Sequence, residues 1–134
     1  MSVTSGYRSY ATQEYNFNNR KQQYIAGGMS EADAYATTAT IINPPGSSEH
    51  QSGLCADLHN LPAADVAFAN EAAYTWLKEN CWKFGFILRY PEDKVSITGI
   101  SFEPWHYRYV GKEYAKEIMS RGITLEEFLQ EKGW

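Results

Sequence analysis

Helical spacing of apolar residues is clearest between positions 68 and 84. Apolar side chains recur there at intervals of three and four, which is typical of an amphipathic helix, and Gly85 follows as a stop signal. A more polar stretch from about Thr12 predicts an earlier helix that ends at the Gly27-Gly28 pair. Ser30 resembles the N-cap of a second helix, in SEADAYATTA.

The remaining patterns predict two C-terminal helices and several strands. GKEYAKEIMSRG is a helix pattern that ends at Gly122, and Thr124 and Glu127 match a capping box in TLEEFLQEKG. SVTSGYRSY has the pattern of a short strand that runs into a turn at Gly6, and LCADL is short and apolar enough for a buried strand. FILRY and SITGISFEPWHYRYV are rich in β-branched and aromatic residues, so we expect strands there. The last two should pair as a hairpin around PEDK. Helices and antiparallel strands mixed in this order predict an α+β domain rather than a βαβ array.

Length and composition limit the class of protein. With 134 residues we expect one domain, 1–134, around a single core. Hydrophobic residues at 43% and aromatic residues at 15% are typical of globular proteins. A net charge of -4 argues against nucleic acid as a partner, because phosphate neutralisation needs a basic face. The apolar runs are far shorter than the roughly 20 residues that span a bilayer, and no secretory signal is visible.

The chain contains no internal repeat and no low-complexity segment. Its two cysteines, Cys55 and Cys81, are too few for a disulfide framework or a four-thiolate zinc site. We expect both to be free thiols, and they do not fix the redox compartment.

His50 and Asp57 lie seven positions apart, after Pro44 and Pro45. These prolines and Gly53 disfavour a helix, and an odd spacing on a straight strand sends two side chains to opposite faces. The two side chains can therefore meet only if the chain bends between them. Gly53 suits such a bend because it carries no Cβ.

Glu103 and His106 form a second pair, three positions apart. Pro104 cannot donate a ladder hydrogen bond and favours an edge, a bulge or a strand start, which would let both side chains share one side. Two imidazoles and one carboxylate are a catalytic zinc set that leaves a fourth position for water, and a free Glu beside that water supplies the base. Spacing alone does not decide, because a single His is more often a hydrogen-bonded surface or core residue.

Two motifs make the pattern more specific. SSEHQSGLCADL resembles S-x-H-x-x-G-x-A-x-D and EPWHYRYVG resembles E-x-x-H, the motifs of the zinc peptidases that include lysostaphin, D-Ala-D-Ala peptidases and the hedgehog signalling domain. The chain is most similar to D-Ala-D-Ala carboxypeptidases of the vancomycin-resistance type over nearly its whole length, including SGYRS, WLKENCWKFGFILRYPEDK and GITLEEFL. Members of this group commonly have more chain before SGYRS, so we expect that an N-terminal segment could have been trimmed from this domain.

The resemblance implies that His50, Asp57 and His106 bind Zn2+ and that Glu103 is the general base. It also implies that a small antiparallel sheet, flanked by helices, carries the site. One departure is Cys55, which occupies the Ala position of the first motif. On a strand Cys55 faces the same way as Asp57, so a thiolate there could compete for zinc or simply pack as a small hydrophobe. We favour packing.

The resemblance also indicates residues that bind substrate. Arg8 of SGYRS is the cation for the substrate carboxylate or for the oxyanion, with a solvated surface arginine as the alternative. Gln13 and Ser48 are candidate hydrogen-bonding neighbours of the substrate, although Ser48 could instead bond to its own loop backbone. Trp105 is a candidate wall of the substrate cleft, although an aromatic residue in a strand is usually core.

The expected reaction is zinc-dependent hydrolysis of the C-terminal D-Ala from peptidoglycan precursor stem peptides. The alternatives are an L,D-carboxypeptidase, a D,D-dipeptidase that cuts free D-Ala-D-Ala, and a non-catalytic zinc-bearing binding module. Glu103 argues against the binding module, because a structural zinc site needs no carboxylate base. We expect a monomer in the cell envelope, outside the cytoplasm, whereas dipeptide cleavage would belong in the cytoplasm.

Overall fold

Four short strands form one antiparallel sheet in the computed structural model, which describes residues 1–134. The strands are β1 (Ser2–Ser5), β2 (Cys55–His59), β3 (Phe86–Leu88) and β4 (His106–Tyr109), in the order β1-β2-β4-β3 across the sheet. The central strands β2 and β4 are therefore neighbours in space although they are distant in sequence. Together with the helices described below, this sheet confirms the α+β prediction.

The register of the two central strands decides which side chains share a face. In the pairing of β2 with β4, Asp57 lies opposite His106 and Cys55 lies opposite Arg108. Directly opposed residues of an antiparallel pair point to the same face, and alternate residues of one strand do so as well. These four side chains therefore occupy one face, while Tyr107 points to the other, where it is fully buried.

The chain forms six α-helices: α1 (Tyr10–Ala26), α2 (Glu31–Ala39), α3 (Ala72–Asn80), α4 (Val95–Thr98), α5 (Lys112–Arg121) and α6 (Leu125–Lys132). Four of them, α1, α2, α5 and α6, confirm predicted helices. The Ser30 side chain caps α2 by accepting a hydrogen bond from the Asp33 N–H, and Thr124 and Glu127 form the predicted capping box of α6.

The prediction of one continuous helix over residues 68 to 84 is wrong. Helix α3 is flanked by two 3-10 turns, Val66–Asn70 and Cys81–Phe84, and the backbone at Glu71 is extended, with φ -86° and ψ 143°. The apolar spacing reflects burial and not a continuous helix, because Phe68, Leu77 and Cys81 all pack in one core cluster. Gly85 does end the helical segment, as predicted.

The prediction of a long strand in SITGISFEPWHYRYV is also wrong. Its first part forms the short helix α4, and the strand begins only at His106. Pro104 has no N–H for a sheet ladder, so pairing can start only after it. The predicted pairing with FILRY is confirmed in β3 and β4, but PEDK is not its turn, because a 3-10 turn at Glu92–Lys94 and α4 fill the connection.

Core clusters cover both faces of the sheet. One cluster joins the β3 and β4 side chains Leu88 and Tyr107 to Phe68, Leu77 and Cys81. The other joins Ile87 of β3 to residues of the last two helices, namely Ala115, Ile118, Leu125 and Phe128. Ile87 lies opposite Arg108 in the sheet. Helices α5 and α6 are therefore fixed against the face that carries Asp57 and His106.

The helices and the two cysteines have properties that limit the kind of protein this is. None of the helices combines the length and the apolar content that crossing a lipid bilayer requires. Cys55 and Cys81 are both buried free thiols, as predicted. Burial raises the pKa of Cys81 to about 11, so this residue remains a neutral thiol at ordinary pH.

Gly85 provides a test of the junction that leads into β3. Its φ is +88°, and a Cβ there would lie 2.6 Å from the Tyr109 ring, whereas Gly99 has a φ of +71° and nothing within 4 Å. Gly99→Ala should lower the free energy of unfolding by about 1–2 kcal/mol, because only left-handed strain is added. Gly85→Ala should cost more, since it adds a collision with Tyr109. Urea unfolding of both variants measures the difference, and equal losses would contradict this account.

Candidate metal centre

Asp57 and His106 meet because of the sheet register. His106 begins β4 and Asp57 lies directly opposite it in β2. Their side chains approach to 3.1 Å between His106 Nδ1 and Asp57 Oδ1, and both residues are buried. The backbone pairing of two core strands thus sets the distance between an imidazole and a carboxylate.

His50 reaches the same carboxylate from a loop. It lies in a 3-10 turn, Glu49–Ser52, that Ser48 caps and that Gly53 ends with a φ of 72°, which confirms the predicted bend. His50 Nδ1 is 2.7 Å from the Gly6 carbonyl oxygen. That carbonyl can only accept, so Nδ1 carries the proton and Nε2 is directed at Asp57 Oδ2, 3.4 Å away.

The donor set fits a divalent metal ion. The two imidazole rings, of His50 and His106, lie 5.0 Å apart between centroids and nearly perpendicular, at 78°. The Asp57 carboxylate contacts a nitrogen of each ring. Two imidazoles and one carboxylate at one point are a donor set that Zn2+ accepts in catalytic sites. The sequence-predicted trio therefore converges in the structure.

Cys55 lies close to the same point. Possible donor atoms of His50, Cys55 and His106 all lie within 4.8 Å of one another, and Cys55 is buried. The alternation along β2 places its thiol on the face of Asp57, as the sequence predicted. The site therefore has a fourth protein group within reach of a metal ion.

Glu103 lies beside the imidazole pair. The His106 N–H donates to the Glu103 carbonyl at 3.2 Å and closes a turn before β4, so both side chains share one side. Glu103 Oε2 is 3.7 Å from His106 Nδ1. Burial is the largest cause that raises the pKa of Glu103, to about 7, against the opposing charge of His106. A carboxylate with a pKa near neutrality can both accept and return a proton.

The charges at the site favour a cation between the carboxylates. Burial alone would lower the pKa of His50, but the hydrogen bonds with Asp57, Cys55 and Gly6 and the charge of Asp57 together outweigh it and raise the pKa to about 9. The pKa of His106 rises well above its usual range for similar reasons. Burial alone would raise the pKa of Asp57, yet the two imidazoles hold it far below its usual range. Protons on the imidazoles supply positive charge that a metal ion can replace.

A cleft of about 420 Å³ opens beside these groups, and all the predicted site residues line it, namely Arg8, Gln13, Ser48, His50, Asp57, Glu103, Trp105 and His106. The Arg8 guanidinium donates to Gln13 Oε1 at 2.8 Å and lies 3.8 Å from Asp57 Oδ2. Gln13 is itself buried and donates to the Asn43 carbonyl at 2.7 Å, so it orients Arg8. The Ser48 hydroxyl accepts a hydrogen bond from the His50 N–H at 3.3 Å. This is the bond to its own loop backbone that the sequence indicated as the alternative to substrate binding.

Two parts of the site were not predicted from the sequence. Glu49 Oε2 lies 3.3 Å from His106 Nε2, although only its neighbour His50 was singled out. Glu49 lies inside the first motif, and this position was the only indication in the sequence that it belongs to the site. The second is the polar face of α1, where Asn16, Arg20 and Gln23 follow Gln13 at helical spacing along the cleft. This spacing is readable in the sequence, but nothing in it indicates which helix faces the site.

Known proteins are similar to this chain over most of its length. A family model described as VanY, D-alanyl-D-alanine carboxypeptidase, matches residues 1–112. A D-alanyl-D-alanine carboxypeptidase of Enterococcus faecalis is 46% identical over 127 residues, which cover 95% of this chain and 46% of that protein. The chain thus spans less than half of that relative's length.

Two solved structures are similar over nearly the whole chain. VanYB in complex with D-alanine-D-alanine has a TM-score of 0.87 at 46% identity, covering 96% of this chain and 70% of that one. A mutant of the vancomycin-resistance D,D-pentapeptidase VanY from a VanB-type cassette, in complex with Zn(II), has a TM-score of 0.82 at 47% identity, with the same coverages of 96% and 70%. These levels of identity support a common family as well as a common fold.

The charge pattern predicts how the stability of metal-free protein depends on pH. His50 favours the folded state while it is protonated, so its contribution is complete below pH 6.5 and is lost as pH rises through about 9. Glu103 binds its proton more tightly when folded, so stability also falls between pH 4.5 and about 7. Glu49, whose pKa falls from 4.5 to about 2, acts oppositely and loses its contribution only in acid.

Metal-free protein should therefore be most stable at about pH 5 and less stable at pH 7 and 9. Urea unfolding in the presence of a chelator measures this trend. His50→Gln should make the decline between pH 6.5 and about 9 less steep, because one of the two imidazoles with a raised pKa is removed. Stability that rises from pH 5 to pH 9 in the unsubstituted protein would contradict the assigned charge pattern.

Proposed function

We propose, because the chain belongs to the VanY family of D-alanyl-D-alanine carboxypeptidases, that it is a zinc-dependent D,D-carboxypeptidase that removes the C-terminal D-Ala from peptidoglycan precursor stem peptides. The convergence of His50, Asp57, His106 and Glu103 in one cleft carries this proposal. The names of its relatives point to the same reaction, and one similar structure is a complex with Zn(II).

His50, Asp57 and His106 are the proposed zinc ligands, through His50 Nε2, an Asp57 oxygen and His106 Nδ1. The contacts of the opposite nitrogens support these choices, because Gly6 holds His50 Nδ1 and Glu49 faces His106 Nε2. When bound, zinc supplies Lewis-acid chemistry that polarises a scissile carbonyl and lowers the pKa of water. Cys55 is proposed to pack beside the site as a small hydrophobe.

Glu103 is the proposed general base and acid. Its carboxylate accepts a proton from the attacking water and later delivers it to the nitrogen of the leaving D-Ala. Burial supports this role, because it raises the pKa of Glu103 towards the value at which uptake and release are both rapid. No covalent intermediate is required.

Arg8 is the proposed cation for the substrate carboxylate or the developing oxyanion. Its guanidinium donates to Gln13 and to Ser5, which set its direction in the cleft. Its contact with the Asp57 carboxylate is longer, at 3.8 Å, so a substrate anion can form a closer ion pair with it. Gln13 then supports Arg8, while Ser48 and Trp105 are proposed to contact the substrate from the cleft wall.

The two alternative peptidase activities would use the same zinc-dependent hydrolysis. An L,D-carboxypeptidase or a D,D-dipeptidase would use the same zinc site and differ in the substrate contacts of the cleft. A non-catalytic zinc module is less well supported, because Glu103 is buried at the site without an arginine or lysine ion pair. D,D-carboxypeptidase activity is preferred because the matched family model and the relative carry that description.

Residues 1–134 are proposed to form one catalytic domain that acts as a monomer. Every residue assigned to the site comes from this chain, so a second copy is not needed to complete it. We also propose that the domain acts outside the cytoplasm, since stem peptides of exported precursors and assembled cell wall are found there. Activity restricted to the free dipeptide would instead indicate a cytoplasmic role.

Release of D-Ala from defined peptides tests the proposed activity. Zinc-loaded protein should cleave a pentapeptide stem ending in D-Ala-D-Ala and should release little from the tetrapeptide or from free D-Ala-D-Ala. Glu103→Gln should lower kcat at least about 100-fold, because the base is lost while the ligands remain. Glu113→Gln, on the exposed side of α5, is the matched control and should keep full activity.

Zinc content separates the possible failures of this experiment. Glu103→Gln should hold zinc as tightly as the unsubstituted protein, because Glu103 is not a proposed ligand. Full activity of zinc-loaded Glu103→Gln would exclude the assigned base. Preferred cleavage of the tetrapeptide or of the dipeptide would replace the D,D-carboxypeptidase assignment with the corresponding alternative.

Cys55 and Asp57 provide a test of the ligand set. Cys55→Ala restores the residue of the family motif and should leave zinc affinity unchanged, whereas Asp57→Ala should weaken it at least about 100-fold. Competition against a chelating indicator gives both affinities. Thiolate ligation would show itself as a large loss of affinity in Cys55→Ala and as a thiolate-to-cobalt absorption band in Co2+-loaded protein.

A further inference from the structure

We propose that Glu126, Arg89 and Glu49 form a chain of ion pairs that positions the His106 imidazole for metal binding. This inference rests on the proposed role of His106 as a zinc ligand. It assigns a function to α6, which contributes no residue to the cleft.

The chain of contacts begins at the first turn of α6. Glu126 accepts two hydrogen bonds from Arg89, at 2.9 Å from Nη1 and 2.6 Å from Nη2. A two-point contact of this kind fixes the plane of the guanidinium. Glu126 itself is held at a helix start that the capping box of Thr124 and Glu127 makes rigid, and a negative charge is favourable there.

Arg89 passes this orientation to Glu49. Its remaining donor, Nε, lies 2.7 Å from Glu49 Oε1, and Arg108 Nη1 lies 2.9 Å from the same oxygen. Two guanidinium groups therefore occupy Oε1. The other oxygen, Oε2, is left to face His106 Nε2 at 3.3 Å. The rotation of the Glu49 carboxylate is thus set by the arginines and not by His106.

Glu49 in turn determines which edge of the His106 ring faces the metal position. With Nε2 directed at Glu49, Nδ1 points to Asp57 at 3.1 Å. A ring flip would place a carbon against each carboxylate and lose both contacts. Tyr90 packs on the ring at 5.0 Å between centroids, and Arg89 stacks on Tyr90 at 4.8 Å, so the arginine also restrains the imidazole through packing.

Burial makes these contacts effective. The side chains of Glu49, Arg89 and His106 are 11%, 10% and 4% exposed, whereas Glu126 is 36% exposed. Charges held away from water interact more strongly and are poorly screened by salt. Arg89 is also joined to His106 through the backbone, because its N–H donates to the His106 carbonyl at 3.1 Å. This bond holds the backbones of the two residues together.

Glu126→Gln tests the far end of this chain, and Glu131→Gln is its matched control. Both residues are glutamates of α6 that pair with one arginine through two contacts, since Glu131 accepts from Arg121 Nη2 at 2.8 Å with each oxygen. Arg121 lies outside the site. Zinc affinity from indicator competition and the visible spectrum of Co2+-loaded protein are the measurements, and neither depends on hydrolysis.

Glu126→Gln should weaken zinc binding several-fold and shift the Co2+ spectrum, whereas Glu131→Gln should change neither. Glu49→Gln should weaken zinc binding about 10–100-fold, the range found for partners that orient metal ligands. Arg89→Lys should behave like Glu126→Gln, because it keeps the charge and loses the two-point contact. It replaces Glu126→Gln if circular dichroism shows that the latter does not fold.

Unchanged affinity and spectrum in folded Glu126→Gln or Arg89→Lys would overturn the positioning role while leaving the proposed hydrolase intact. Equal losses in Glu126→Gln and Glu131→Gln would also overturn it, because the effect would then be one of general stability. Absence of zinc binding in the unsubstituted protein would overturn both proposals.

Discussion

The register between β2 and β4 is the constraint on which the rest of the site depends. It sets Asp57 opposite His106, and a slip of one residue would send one of these side chains to the other face. The fully buried Tyr107 holds that register from the opposite face of the sheet. The loop of His50 and the turn of Glu103 are then positioned relative to this pair. A hydrophobic core thus fixes the distances of a polar centre.

Three buried carboxylates show how environment divides one chemical group into different roles. Two arginines and His106 lower the pKa of Glu49, so it remains an acceptor that holds the imidazole. The imidazoles lower the pKa of Asp57, which keeps it ionised where a cation binds. Glu103 lies 3.7 Å from His106, but burial outweighs the attraction of the imidazole and raises the pKa of Glu103 to about 7. The proposed ligand support, ligand and base therefore differ in the balance between burial and the attraction of nearby cations.

The sequence predicted the parts of the fold and site that local chemistry encodes. Capping residues gave the starts of α2 and α6, and Gly53 gave the bend between His50 and Asp57. Apolar spacing at 68 to 84 could not reveal the break at Glu71, because burial does not require an unbroken helix. The contact of Glu49 with Arg89 and Arg108 depends on tertiary packing that no spacing encodes.

In the proposed reaction, the metal centre would determine which bond is cleaved, and the cleft wall would determine which peptide is selected. The proposed ligands and Glu103 would act at the peptide bond to a C-terminal D-Ala, which dipeptide, tetrapeptide and pentapeptide substrates all present. Discrimination among these substrates must therefore come from groups that contact the rest of the peptide. Asn16, Arg20 and Gln23 line the cleft along α1, a rigid helix, and they offer hydrogen bonds and one positive charge. No residue of α1 takes part in the β2–β4 pairing that positions Asp57 and His106. Substitutions along this wall can therefore change substrate contacts without changing the metal centre.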